Sequence, residues 1–228
     1  MGEKKQKQQT KNWIKALVVI ACVTFVVLMV LSGMGSGWIS FLSVIKPGDT
    51  VTLDFTIRDQ NGQPLVTTDQ QLYRQMTSSA GGIFFSKQLV LQANQSSAKA
   101  VMPIPIYTTQ SGWSTSFALF GGEYDAISEG IIGMKQNEQK TIRIPFTDSM
   151  SQVWSASQLQ RNGLNLSDVN VGDSLAMGVT DSPELARNTS SQVFYMRIGE
   201  VTQKAADGVT IDFGYPTIDV RIFSINKP

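Results

Sequence analysis

The stretch that decides the reading of this chain is GIIGMKQNEQKTIRIPF, Gly130 to Phe146. A glycine-closed apolar run, a polar turn and an alternating segment follow one another without spare residues. Upstream, EYDAISEGII (Glu123 to Ile132) sets Tyr124, Ile127 and Ile131 at i, i+3, i+7 spacing, which predicts a short helix with one apolar face. Gly133 stands where a helix C-terminus favours glycine, and Gln136, Asn137 and Glu138 supply a turn. From Lys140 to Ile144, Ile142 and Ile144 point one way and Thr141 and Arg143 the other, the period of a half-buried strand. One brief helix is thus expected to be clamped against strands on either side.

Composition removes most catalytic chemistry. The 228 residues, 42% of them hydrophobic, suffice for one or two domains. With Lys+Arg 19 and Asp+Glu 18 the net charge is +1, so a nucleic-acid partner is not expected. There is no histidine and one cysteine, which excludes Ser-His-Asp and Cys-His nucleophiles and a zinc site. No DxDxDG-type loop points to calcium. Neither a metal nor a cofactor is expected.

The N-terminus reads as a separate object. Lys4, Lys5, Lys7, Lys11 and Lys15 precede the uncharged ALVVIACVTFVVLMVL, Ala16 to Leu31, and no further basic residue occurs before Lys46. The expectation is a basic cytoplasmic tail (1–12), a transmembrane anchor in contact with membrane lipid (13–34) and a linker (35–46), with the remainder outside the membrane. Cleavage at SGMGSG (Ser32 to Gly37) or lipidation at VIAC (Val19 to Cys22) are the rival readings. Against lipidation, the apolar run continues nine residues past Cys22. N-x-S sequons stand at Asn94, Asn165 and Asn188.

Beyond the linker, Val51, Leu53, Phe55 and Ile57 alternate with polar residues, and Asp59 to Gly62 is a hairpin signal before Leu65 and Val66. Residues 70–111 read as an inserted β arm, with two prolines in AVMPIPIYTT that bar it from a central strand. Residues 151–207 read as a small inserted β unit. DGVTIDFGYPTIDVRIFSI then closes the chain with two strands.

The order of these segments resembles the FKBP-type peptidyl-prolyl isomerases, in particular the SlyD-like branch with a domain inserted in its flap. KPGDTVTLDFTIRDQNGQPL, ISEGIIGMKQNEQKTIRIP and VGDSLAMG with the C-terminal strands carry the likeness. It implies an α+β fold: behind the anchor, a curled antiparallel FKBP-like sheet around one short helix (47–150 and 208–228), with the small inserted β domain at 151–207. It also implies an extracytoplasmic isomerase or chaperone that grips proline-containing or unfolded segments of exported chains. Rotation about X–Pro faces a barrier of about 18–20 kcal/mol, and lowering it takes an apolar cleft and a backbone donor, with no nucleophile.

By the same resemblance, Phe55, Leu119 or Phe120, Ile127 and Ile218 would line the substrate cleft. Tyr124, Val66 and Met150 would hold the positions of the catalytic contacts. Val66, or Thr67 if the alignment shifts by one, stands where the family has an acidic residue, and Met150 where it has a flap tyrosine. The alternative for each residue is a place in the core of a sheet packed on one helix. Two further functional readings therefore stand beside the isomerase: an inactive holdase, and a structural subunit of a membrane or surface complex docking through 70–111.

Overall fold

Val51, Leu53, Phe55 and Ile57 are buried along β1 (Thr50–Arg58), while Thr52 and Asp54 between them are only half-buried. The computed structural model of the chain describes residues 3–33, 43–78, 82–145, 150–180 and 194–227. The chain divides into two compact units, 1–43 and 44–228.

In the larger unit β1 is the hub. It pairs antiparallel along its whole length with β12 (Thr217–Asn226), with a bulge at Thr52/Leu53. Its other edge is shared between β2 (Pro64–Thr67) and β4 (Leu89–Gln92). The β1–β2 turn is closed by Asp59, whose Oδ1 accepts from the N–H groups of Asn61 (2.9 Å) and Gln63 (2.7 Å). α2 (Gln70–Ser78) follows, and Asp69 caps it by accepting from Gln71 N–H (2.7 Å) and Leu72 N–H (3.1 Å). Replacing Asp69 with alanine is expected to cost about 1 kcal/mol, visible as faster hydrogen exchange confined to α2. Unchanged exchange would show that the cap contributes nothing.

The next strands extend the sheet. β3 (Phe84–Ser86) joins β2 in parallel, and the hairpin of β5 (Val101–Thr108) and β6 (Gly112–Phe120) continues from β3. α3 (Gly121–Gly130) then crosses to β7 (Gln139–Arg143), which borders β12. The helix expected over 123–132 thus begins and ends two residues earlier. Gly130 lies where helix and strand touch: a Cβ there would stand 2.8 Å from Ile142 Cδ1. Lys140 Nζ donates to the Gly130 carbonyl (2.8 Å), and Gly133, at φ +80°, takes the left-handed conformation that ends the turn. Gly130→Ala is expected to cost roughly 1–3 kcal/mol in chemical denaturation, because the added methyl must displace Ile142. A change within error would mean that Ile142 has room to move.

The last elements are β8 (Ser151–Ser155), α4 (Ala156–Arg161), β9 (Ser174–Val179), β10 (Tyr195–Lys204) and β11 (Gly208–Asp212). They form a second apolar cluster of Leu159, Val169, Val201, Val209, Ile211 and Phe213. The strands run in the order β7-β12-β1-β2-β3-β5-β6-β10-β11-β8, with β4 on β1 and β9 on β10.

This architecture corrects the fold class expected from the sequence. An FKBP-like α+β domain carrying a separate inserted β domain was expected. What is found is one strand-rich, curled half-barrel sheet of twelve strands with few helices. The arm and the insert are hydrogen-bonded parts of that sheet. The arm continues it from β3, and β10 meets β6 in parallel at Met196↔Phe117. Periodicity shows which face of β5 or β10 is apolar, but it does not show which distant strand will cover that face.

The transmembrane anchor at 13–34 is corrected too. α1 (Glu3–Gly33) begins among the lysines, and no helix among the described residues is long and apolar enough to cross a membrane. Residue 34 at the end of the expected anchor, residues 35–42 of the expected linker (35–46) and the Asn188 sequon lie outside the described residues.

Candidate functional site

The expected cleft residues come together, but as core. Phe55, Val66, Leu119, Tyr124, Ile127 and Ile218 all belong to the main apolar cluster, and none is more than 9% exposed. Ile104 and Ile106 of β5, Phe117 of β6, Ile198 of β10 and Tyr215 pack into the same cluster. Strands of the arm and the insert therefore supply side chains where the resemblance implies an open cleft. Phe120 is half-buried at the start of α3. Met150 is not part of this group; it packs against the second cluster.

Sequence reasoning missed the group that binds these segments together. Arg197 of β10 and Glu123 of α3 are both fully buried and form a bidentate pair, Nη1 to Oε2 at 2.8 Å and Nη2 to Oε1 at 2.6 Å. Arg197 also donates to the carbonyls of Ala118 and Phe213. Glu123 Oε2 accepts from Phe120 N–H (2.9 Å), so the carboxylate serves the first turn of α3 as well. The guanidinium lies over the rings of Tyr215 (3.8 Å), Phe120 (4.3 Å) and Phe117 (5.6 Å).

A charged pair taken wholly out of water persists only when its remaining donors and acceptors are satisfied. Here no buried side-chain nitrogen or oxygen among the described residues lacks a partner. Burial pulls the Arg197 pKa down, and the adjoining Glu123 carboxylate outweighs it, with a net rise above the usual value. The available signal was a single arginine inside the largely apolar sequence YMRIGEV, together with an acid in the first turn of a helix.

Tyr215 closes the group. Its hydroxyl donates to Ile198 O (2.7 Å) and accepts from Ile198 N–H (3.2 Å). Burial pushes its pKa up from 10.0 to about 12. The native state therefore keeps a proton that the unfolded chain gives up. The stabilisation is complete below pH 10 and is lost as pH rises towards 12. Comparison with Tyr215→Phe over that window is expected to show a shallower loss of stability in the variant. Parallel curves would overturn this assignment.

Two surface grooves lie outside the core. One, of about 700 Å³, is bordered by β1, β7, β12 and the start of α2, with Asp54, Arg58, Asp69, Lys140, Asp219 and Arg221 in its wall. Its charges are largely paired within the protein, Arg58 with Asp219 and Arg221 with Asp54, each at 2.7 Å. The other, of about 320 Å³, is lined by Trp154, Leu164, Leu175, Ala176 and Met177 with neighbouring polar residues. It lies between β8 and β9. β8 pairs with β11 and β9 with β10, so each leaves its other edge without a strand partner among the described residues. No group of His, Cys, Asp or Glu among the described residues is arranged to hold a metal ion.

No protein-family model matches the chain, and no curated protein matches it.

Proposed function

We propose that residues 44–228 form a polypeptide-binding module that holds extended, partly apolar segments in the groove between β8 and β9 without isomerising X–Pro bonds. The observation that carries this reading is the contrast between the two apolar regions. Phe55, Tyr124, Ile127 and Ile218 are buried in a cluster to which Ile104 and Ile106 of the arm and Ile198 of the insert contribute. The second cluster, by contrast, presents Trp154, Leu164, Leu175 and Met177 half-buried along an open groove. A prolyl ring needs room to enter before its amide can be twisted, whereas an extended segment needs only apolar wall and free strand edge.

The test uses the full chain in two assays. Stoichiometric protein is expected to suppress aggregation of a diluted unfolded reporter, and Met177→Asp to weaken this about tenfold or more while circular dichroism stays unchanged. Proline-limited refolding is expected to run at its uncatalysed rate. Acceleration of that refolding restores the isomerase reading. Absence of suppression, or suppression indifferent to Met177, sinks the proposal.

A further inference from the structure

The outer face of the arm carries a continuous row of aromatic rings. Tyr73 of α2 lies 5.4 Å from Phe85 of β3, Phe85 6.0 Å from Trp113 of β6, and Trp113 5.6 Å from Tyr107 of β5, centroid to centroid. Phe85 and Tyr107 are direct cross-strand partners, which holds their rings on one face. Trp113 is 40% exposed and Tyr107 38%, so the row has not been turned inward to fill a core. Lys87 Nζ stands 5.0 Å from the Trp113 ring centre.

Around the hairpin turn, Thr108, Ser111 and Thr115 share a chain of hydroxyl contacts at 2.6 Å, all exposed. The charge of this region is one-sided. From Gln70 to Gly122 the sequence contains Arg74, Lys87 and Lys99 and no Asp or Glu, although the chain as a whole is nearly neutral. Two carboxylates border the patch: Asp69, which accepts from the first N–H groups of α2, and Asp54, which accepts from Gln88 Nε2 (2.9 Å) and is already paired with Arg221.

We propose that this face binds an acidic polysaccharide, a chain of sugar rings bearing carboxylates. The electron-rich faces of Trp113 and Tyr107 attract the positively polarised C–H groups of a sugar. The Ser and Thr hydroxyls both donate and accept, which suits a polyol. Lys87 supplies a cation for the carboxylates, and no unpaired acid of the arm opposes them. An acidic peptide would satisfy the charge while leaving the hydroxyl rim unused. The inference is independent of the groove between β8 and β9.

Affinity electrophoresis of the full chain in gels containing polygalacturonate, dextran or polyglutamate provides the test. Polygalacturonate is expected to retard the protein and dextran to leave it unaffected. Trp113→Ala and Lys87→Ala are each expected to weaken retardation about tenfold, and raising the salt to about 0.5 M to reduce it strongly. Thermal melting confirms that each variant is folded, and Trp113→Phe, which keeps a ring, is expected to retain most of the binding. Absence of retardation by polygalacturonate overturns the proposal. So does retardation unchanged by Trp113→Ala in the folded protein, or equal retardation by polyglutamate, which would assign the face to acidic peptides.

Discussion

Glu123→Ala is expected to destabilise the 44–228 unit by about 3–5 kcal/mol, because it leaves the Arg197 guanidinium buried and unpaired. Both side chains are fully buried, so no solvent screens the loss. Arg197 is held by the carbonyls of Ala118 and Phe213 and cannot swing out to water without abandoning both. The orphaned Phe120 N–H adds a smaller cost at the start of α3. The effect also reaches beyond one helix. The described register between β10 and β6 is the single pair Met196↔Phe117, and Arg197 is the next residue along β10. Urea denaturation should show the reduced midpoint, and hydrogen exchange should show the first loss of protection in β10 and α3. The control is Glu123→Leu combined with Arg197→Met, which removes both charges and keeps comparable volume. It is expected to recover only part of the stability: no charge is left buried alone, but the Phe120 N–H and the carbonyls of Ala118 and Phe213 lose their side-chain partners. If the single variant loses less than about 1 kcal/mol, water reaches this group and the assignment of a sealed core is wrong.

Phe117→Ala carries the second large effect, about 3–5 kcal/mol, or a fall in melting temperature on the order of 10 °C. Phe117 is fully buried in the main cluster, stacks on Tyr215 with centroids 5.8 Å apart, and lies beneath the Arg197 guanidinium. Its removal therefore opens a void and takes one wall from the ring of aromatics around a charge. The void lies in the same cluster as Phe55, Tyr124, Ile127 and Ile218. The variant is thus expected to bind a hydrophobic dye that the wild type excludes, at temperatures where both are folded. Phe117→Leu, which refills much of the space, should recover more than half of the loss. Equal loss in both variants would point to the stacking geometry, and not the volume, as the main contribution.

Local structure was legible where it depends on near neighbours in the chain. Alternation from Val51 to Ile57 marked β1 because a pleated strand alternates its faces. Asp59 to Gly62 marked the hairpin because the Asp59 side chain can close the turn by itself. The motif at Gly130 to Phe146 marked the passage from α3 to β7 to within two residues, since both glycines act through contacts or torsions local to the corner. Arg197 was not legible as a core residue. An arginine in a strand ordinarily reaches water, and only the convergence of Glu123, Ala118 and Phe213, at 74, 79 and 16 residues' separation, gives it a place inside.

By itself the sequence determined what this protein cannot be and where its turns fall. A chain without histidine has no Ser-His-Asp or Cys-His nucleophile, and apolar periodicity assigns a buried face to each strand. The tertiary structure alone decided what those faces meet. Apolar residues of β5, β6 and β10 share one buried cluster with the residues that resemblance assigned to an open cleft, and strand pairing joins what read as an arm and an inserted domain into one sheet. The physical reason is that burial rewards any apolar surface removed from water, whichever strand supplies it. The partner is then chosen by shape and by one satisfied charge pair, neither of which is a property of a local stretch of chain.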